Sequence, residues 1–127
     1  MYKENKQTKK ETIGGIGEDL AMQFLKRKGY AILERNHRRP WGEIDIIARA
    51  PDATLVFVEV KTFGQSSGSG LMPEDNVTST KAKKMRRAAE GYVAEHGERL
   101  RENAGWRIDV IAVELGDPPA IRQYENV

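Results

Sequence analysis

Residues 42–62, GEIDIIARAPDATLVFVEVKT, contain two runs that are apolar at nearly every position, the pattern of strands covered on both faces of a sheet. Pro51 and Asp52 between them are turn formers, so the runs read as a hairpin over about 43–49 and 54–62. Yet Asp45, Glu59 and Lys61 lie inside these runs, and burying an ionised carboxylate without a partner costs several kcal/mol at the least. Alternation sets Glu59 and Lys61 on one face with Phe57, and Val56, Val58 and Val60 on the other; Glu43, Asp45 and Ile47 share a face of the first run. A hairpin symmetric about Asp52 puts Asp45 opposite Glu59 and Glu43 opposite Lys61, whereas a slip of one residue reverses the faces. In the symmetric register the two acids have Cβ atoms roughly 5 Å apart, and they repel unless something cationic lies between them.

Two accounts of these charges stand side by side. In the first they lie at strand ends, solvated or paired with Lys61 or an arginine. In the second they hold a divalent metal, because two converging carboxylates are hard oxygen ligands suited to Mg²⁺ or Mn²⁺. Lys61 then points into the same pocket, where it holds or polarises an attacking water and offsets charge building on a phosphate.

The flanking sequence supplies the rest of a fold. Ile13, Ile16, Leu20, Ala21, Phe24 and Leu25 recur at helical spacing and predict an amphipathic helix ending near Gly29. Tyr30 to Glu34 suits a short strand, Asn36 to Pro40 a basic turn, and GQSSGSG at 64–70 a flexible flap beside Lys61. A second helix fits from about Thr78 to Glu95, with Val77, Lys81, Met85, Ala88, Ala89, Tyr92 and Val93 on one face, and Gly97 ends it. After the polar link ERLRENAG, the run RIDVIAVEL at 107–115 reads as a third central strand, and 121–124 as an edge strand. Helix, strands, helix, strand make an α/β sandwich with a mixed sheet.

A chain of 127 residues supports one domain, here 13–127, preceded by a flexible basic tail over 1–12. Cysteine is absent, which excludes disulfides, Cys-ligated zinc, iron–sulfur clusters and thiol nucleophiles. The first residues form neither a secretory signal nor an anchor, and no run is long enough to span a bilayer, so a cytoplasmic protein without membrane contact is expected. The net charge is only +2, but Lys26, Arg27, Lys28, Arg35, Arg38 and Arg39 crowd one stretch and Lys81, Lys83, Lys84, Arg86 and Arg87 another. Single clusters of this kind are ordinary solvated helix faces. Two that flank one acidic motif point to a polyanionic partner.

A helical Glu, then Asp, then Glu-x-Lys resembles the PD-(D/E)xK nuclease superfamily. More closely, GxxGEDLAxxFLxxxGY from Gly14 to Tyr30, GEIDIIA, LVFVEVKT, a helix opened by Val77 and Lys81, and R-x-DV at Arg107 to Val110 resemble the YraN family of bacterial, endonuclease-like proteins related to Holliday junction resolvases. The resemblance covers about residues 13 to 115 and implies a restriction-endonuclease-like sandwich, a mixed central β-sheet flanked by α-helices. It makes Asp45, Glu59 and the carbonyl of Val60 ligands of Mg²⁺ or Mn²⁺, Lys61 the catalytic lysine, and Glu18 the helix carboxylate that completes the site. Lys81, Lys84, Arg38 and Arg39 become the expected nucleic-acid contacts. Two positions depart from the pattern: Ile44 rather than proline precedes Asp45, and Phe63 stands where an arginine commonly follows Lys-Thr, which puts one phosphate contact in question.

Other features carry less. GGIGED lacks the Gly-Lys-Ser/Thr of a phosphate-binding loop and does not follow a strand, so close packing at a helix start is the better account. His37 and His96 have no ligand partner at helical spacing and read as surface or satisfied histidines. Trp41 and Tyr30 suit core or rim packing better than base stacking. Asp109 is expected to pair with Arg107 or a nearby basic residue. The reading that combines these features is a metal-dependent phosphodiesterase acting on DNA, branched or flapped DNA included. Its rivals are a non-catalytic nucleic-acid-binding module and a protein-interaction subunit. A homodimer would suit a junction with two-fold symmetry, though no residue demands one.

Overall fold

The computed structural model describes residues 12–64 and 79–127. Residues 1–11 of the tail expected over 1–12, most of the expected flap, and Val77 and Thr78 lie outside the described residues. The elements are α1 (Ile13–Arg27), β1 (Ala31–Arg39), β2 (Gly42–Arg49), β3 (Leu55–Phe63), α2 (Ser79–Glu95), a 3₁₀ turn (Gly97–Arg99), β4 (Trp106–Glu114) and β5 (Ala120–Tyr124). The sheet has five strands in sequence order. The first three form an antiparallel meander, β4 runs parallel to β3, and β5 returns antiparallel. A parallel neighbour requires a crossover, and α2 lies within the connection that makes it. This is the α/β architecture expected: a mixed central sheet flanked by helices.

Each face of the sheet carries its own core. On one, Ala21 and Leu25 of α1 pack on Ile46, Val56, Val58, Ile111 and Val113. On the other, Ala88, Ala89 and Tyr92 of α2 pack on Ile47, Phe57 and Ile108. The central strands are therefore covered on both faces, which is why they are apolar at consecutive positions.

Helix α1 opens on Thr12, whose Oγ1 accepts the Gly15 N–H at 3.0 Å. Past its end Gly29 takes the left-handed conformation at φ +93°. The residues it buries are Gly17, Ala21 and Leu25, four apart. Ile13 and Ile16, expected in the apolar stripe, are instead 58% and 39% exposed. The contact is set by Gly17: a Cβ there would lie 1.8 Å from Thr62 Oγ1 and 2.9 Å from its Cβ. Close packing thus accounts for GGIGED. Gly17→Ala is expected to destabilise by roughly 2 kcal/mol or more, because overpacking outweighs the helix-propensity gain of about 1 kcal/mol. Gly14→Ala, which meets nothing within 4 Å, is the control, and thermal melts of the two variants should move in opposite directions.

Strand β1 continues through the basic residues where a turn was expected. Arg38 pairs with Glu43 and Arg39 with Gly42, which confines the turn to Pro40 and Trp41. The turn signal has another meaning. Asn36 takes φ +53°, and the ladder passes from Arg35–Ile46 to His37–Ile44 without pairing Asn36 to Asp45. Alternation slips in both strands at this point. Glu34 and His37, three apart, both reach Tyr92 of α2, and Ile44 joins Ile47 in the α2-side core. Strict alternation through Glu43, Asp45 and Ile47 is therefore corrected. The hairpin register is as expected, with Ile46, Ile47, Ala48 and Arg49 opposite Val58, Phe57, Val56 and Leu55.

Candidate active site at the opening of the hairpin

The β2–β3 ladder stops at Ile46–Val58, one position short of Asp45 and Glu59. Beyond it the Asp45 side chain takes the place of a backbone acceptor, and the Val60 N–H donates to its Oδ2 at 2.8 Å. One oxygen of Asp45 is thereby anchored to the strand that carries Glu59 and Lys61. Burial, then the neighbouring Glu59 charge, push its carboxyl up to about 7; the Val60 bond opposes this, and Glu18 and Glu43 add to it. The negative charges of Glu59 on β3, Glu18 on α1 and Glu43 on β2 thus all act on Asp45. Glu43 is an additional member, and its place follows from the slip at Asp45.

Glu59 is compensated within the protein. Its Oε2 meets Lys81 Nζ at 2.9 Å and Lys61 Nζ at 3.4 Å. Lys61 stands beside Glu59 as strand alternation requires. Burial, then the adjacent Lys81, hold its ammonium below the ordinary lysine range, with Glu59 pulling the other way. For Lys81 burial also opposes the charge, but the Glu59 carboxylate at 2.9 Å outweighs it and the net shift is upward. A cleft of about 250 Å³ opens here between β2 and α2, lined by Asp45 and Glu59 on one side and Lys81, Lys84 and Met85 on the other.

Glu18 lies at the α1 margin of the group. It pairs with Arg35 NH2 at 3.4 Å, while Arg35 NH1 donates to Asp19 at 2.9 Å. Among the described residues no three carboxylate or imidazole groups meet in a geometry that closes around a metal ion. The donor set nevertheless suits a small hard cation: Asp45 and Glu59 offer oxygens, and their mutual repulsion is what a divalent ion relieves. Arg38 pairs with Glu43 at 3.2 Å and Arg39 with Glu95 at 3.3 Å, both near the surface. Exposed pairs of this kind are worth little, so a phosphate can compete for either arginine.

Several expected residues resolve into structure. Tyr30 is 7% exposed and its hydroxyl accepts from Arg107 and Gln123, so it is a core residue. Trp41 is half-exposed, with its indole against Gly91 of α2. Asp109 is fully buried and paired with Arg107, as expected. His37 is buried and satisfied, its Nδ1 2.9 Å from Glu34 Oε1. Sequence spacing missed the cluster around it: Tyr92 donates to Glu34 at 3.0 Å and packs against His96, whose ring centroid lies 6.5 Å from that of His37. The left-handed Asn36 that turns Glu34 and His37 to one side is the signal that could have revealed it.

Residues 17–113, a span that holds every expected site residue, match the model of the uncharacterised protein family UPF0102. The chain belongs to that family. It is the family to which the YraN resemblance pointed. A UPF0102 protein of Alkaliphilus oremlandii is 48% identical over 105 residues, covering 81% of this chain and 85% of its own. That of Corynebacterium efficiens is 42% identical over 111 residues, 87% of this chain and 84% of its own. Among solved structures, an EndoMS–dsDNA2 complex shares 14% identity at a TM-score of 0.40, over 70% of this chain and 33% of that one, a likeness too distant to bear on the site.

Proposed function

We propose that the protein is a phosphodiesterase acting on DNA, dependent on Mg²⁺ or Mn²⁺ held by Asp45, Glu59 and the Val60 carbonyl. The observation that carries this reading is that Asp45 and Glu59 line one cleft where the hairpin opens, opposite the basic helix α2, with Lys61 paired to Glu59. The bound metal would supply an activated water and offset charge on the phosphate. Asp45 is fixed through one oxygen by Val60 N–H and keeps the other for the cation. Lys61, held beside Glu59, would orient the attacking water and offset charge building on the phosphate. Glu18 adds negative charge from the α1 side. Lys84, Arg38 and Arg39 hold backbone phosphates, which positions the strand without reading bases. Branched or flapped DNA is the substrate form favoured by the resemblance to junction resolvases.

The internal pairing of Glu59 with two lysines and of Glu18 with Arg35 favours a second reading. In it the nuclease-like site is self-neutralised, and the protein binds nucleic acid without cutting it.

A cleavage screen of duplex, single-stranded, flap and four-way DNA, with RNA alongside, separates the two. The expected result is Mn²⁺- or Mg²⁺-dependent cleavage that falls at least about a hundredfold in Lys61→Ala, while DNA affinity persists and declines with salt. Salt-sensitive binding without cleavage by the wild-type protein would leave only the second reading.

A further inference from the structure

Lysine is out of place on the packed face of an amphipathic helix. Lys81 shares that face of α2 with Met85, Ala88 and Tyr92, all of which pack toward the sheet. Its partner on the sheet accounts for the position. Lys81 Nζ lies 2.9 Å from Glu59 Oε2, closer than the 3.4 Å of Lys61, its neighbour on the same strand. Both ammonium groups converge on one oxygen, and all three side chains are largely withdrawn from solvent at 14%, 22% and 34% exposure for Glu59, Lys61 and Lys81. Charge-assisted bonds of this length are the strong ones.

At the opening Glu18 faces Arg35 and Glu43 faces Arg38, while the Glu59 carboxylate is shared by Lys61 and Lys81, so its charge is already answered within the protein. A divalent ion binding at Asp45 and Glu59 would meet two ammonium groups at once, and at least one must leave. Lys81 is the more exposed of the two and comes from the opposite wall of the cleft, so withdrawing it disturbs no strand pairing.

We infer that Lys81 is a built-in counter-ion that occupies the Glu59 carboxylate in place of a divalent cation and must be displaced for that cation to bind. This rests on the metal-dependent reading given above and deepens it into a form of regulation. Displaced from Glu59, the Lys81 ammonium stays on the cleft wall that also carries Lys84, where an incoming backbone phosphate would meet it. Cation entry and phosphate binding are then coupled, each raising the affinity for the other.

The test measures the affinity for Mn²⁺ alone, by calorimetry, in the wild-type chain and in Lys81→Met and Lys84→Met. Methionine keeps the apolar stem, so the helix face remains packed, and circular dichroism confirms folding before titration. Lys84→Met removes the same unit of charge from the same cleft without vacating Glu59 and measures the purely electrostatic gain. The expected result is Mn²⁺ binding tightened by about tenfold in Lys81→Met and no more than about threefold in Lys84→Met, the former a change of about 1.4 kcal/mol. Equal gains in the two variants, or weaker binding in Lys81→Met, would overturn the counter-ion role while leaving the metal reading intact. No binding by any of the three folded proteins would overturn both.

Discussion

Asp109→Ala is expected to lower the melting temperature by about 10–20 °C, the largest loss of stability that any single side chain here should produce. Asp109 is fully buried. Both of its oxygens are used: Oδ1 accepts from Arg107 Nε and the Asn126 N–H at 3.0 Å each, and Oδ2 from Gln123 at 2.9 Å and Arg107 NH2 at 3.3 Å. The same guanidinium donates to Tyr30, so the network joins β4, β5 and the chain between α1 and β1. Burial opposes the Arg107 charge, but the bonds to Asp109 outweigh it and hold the guanidinium above its usual range. Removing the acid leaves a guanidinium that is only 17% exposed with just the Tyr30 hydroxyl and a long 3.8 Å contact to Glu125, and breaking a buried pair from one side costs about 3–5 kcal/mol. A chain of this size loses roughly 3–5 °C per kcal/mol. Thermal denaturation checks the figure, and a drop under about 5 °C would mean that solvent readily reaches Arg107.

Asp45→Asn should move stability the other way, and only above a certain pH. The folded chain holds the Asp45 carboxyl at about 7, against 3.8 for the ordinary group. Between those values the folded state keeps a proton that the unfolded state has lost, so wild-type stability falls as pH rises and then levels off above about 7. Asparagine does not ionise, yet its carbonyl oxygen can still accept the Val60 N–H. Near pH 4 the two proteins should melt together. At pH 8, with a chelator present, the variant should be more stable by roughly 2 kcal/mol, about half of what the full shift implies, because the site is partly open to solvent. Melting curves at the two pH values read this directly, and a difference that does not change with pH would refute the buried-acid account. Saturating Mn²⁺ should reverse the order at pH 8, since a ligand stabilises only the protein that binds it.

The same physics separates what was legible in the sequence from what was not. Alternation and helical periodicity are local properties, and they fix a face wherever one side is buried. They placed Glu59 beside Lys61, gave the hairpin its symmetry about Asp52, and assigned Ala88, Ala89 and Tyr92 to the packed side of α2. The buried pairing of Asp109 with Arg107 was readable for the same reason, since residues two apart on a strand share a face. Where the chain departs from regularity, local rules mislead. Asn36 reads as a turn but is a left-handed residue inside a strand, and opposite it the alternation of β2 also slips, so that His37 meets Tyr92, Ile44 joins the α2-side core and Asp45 bonds across to Val60.

By itself, then, the sequence determined most of the elements and the buried faces of their regular stretches, and it set Glu59 beside Lys61, because each follows from the period of a short segment. Only the tertiary structure decided which charges meet across elements. A crossover connection brings Lys81 onto Glu59, α1 packs so that Glu18 reaches Arg35, and the last strand brings Gln123 to Asp109. These partners are distant in sequence, and nothing in the period of either segment encodes the contact; it exists only once the helices are seated on the two faces of the sheet.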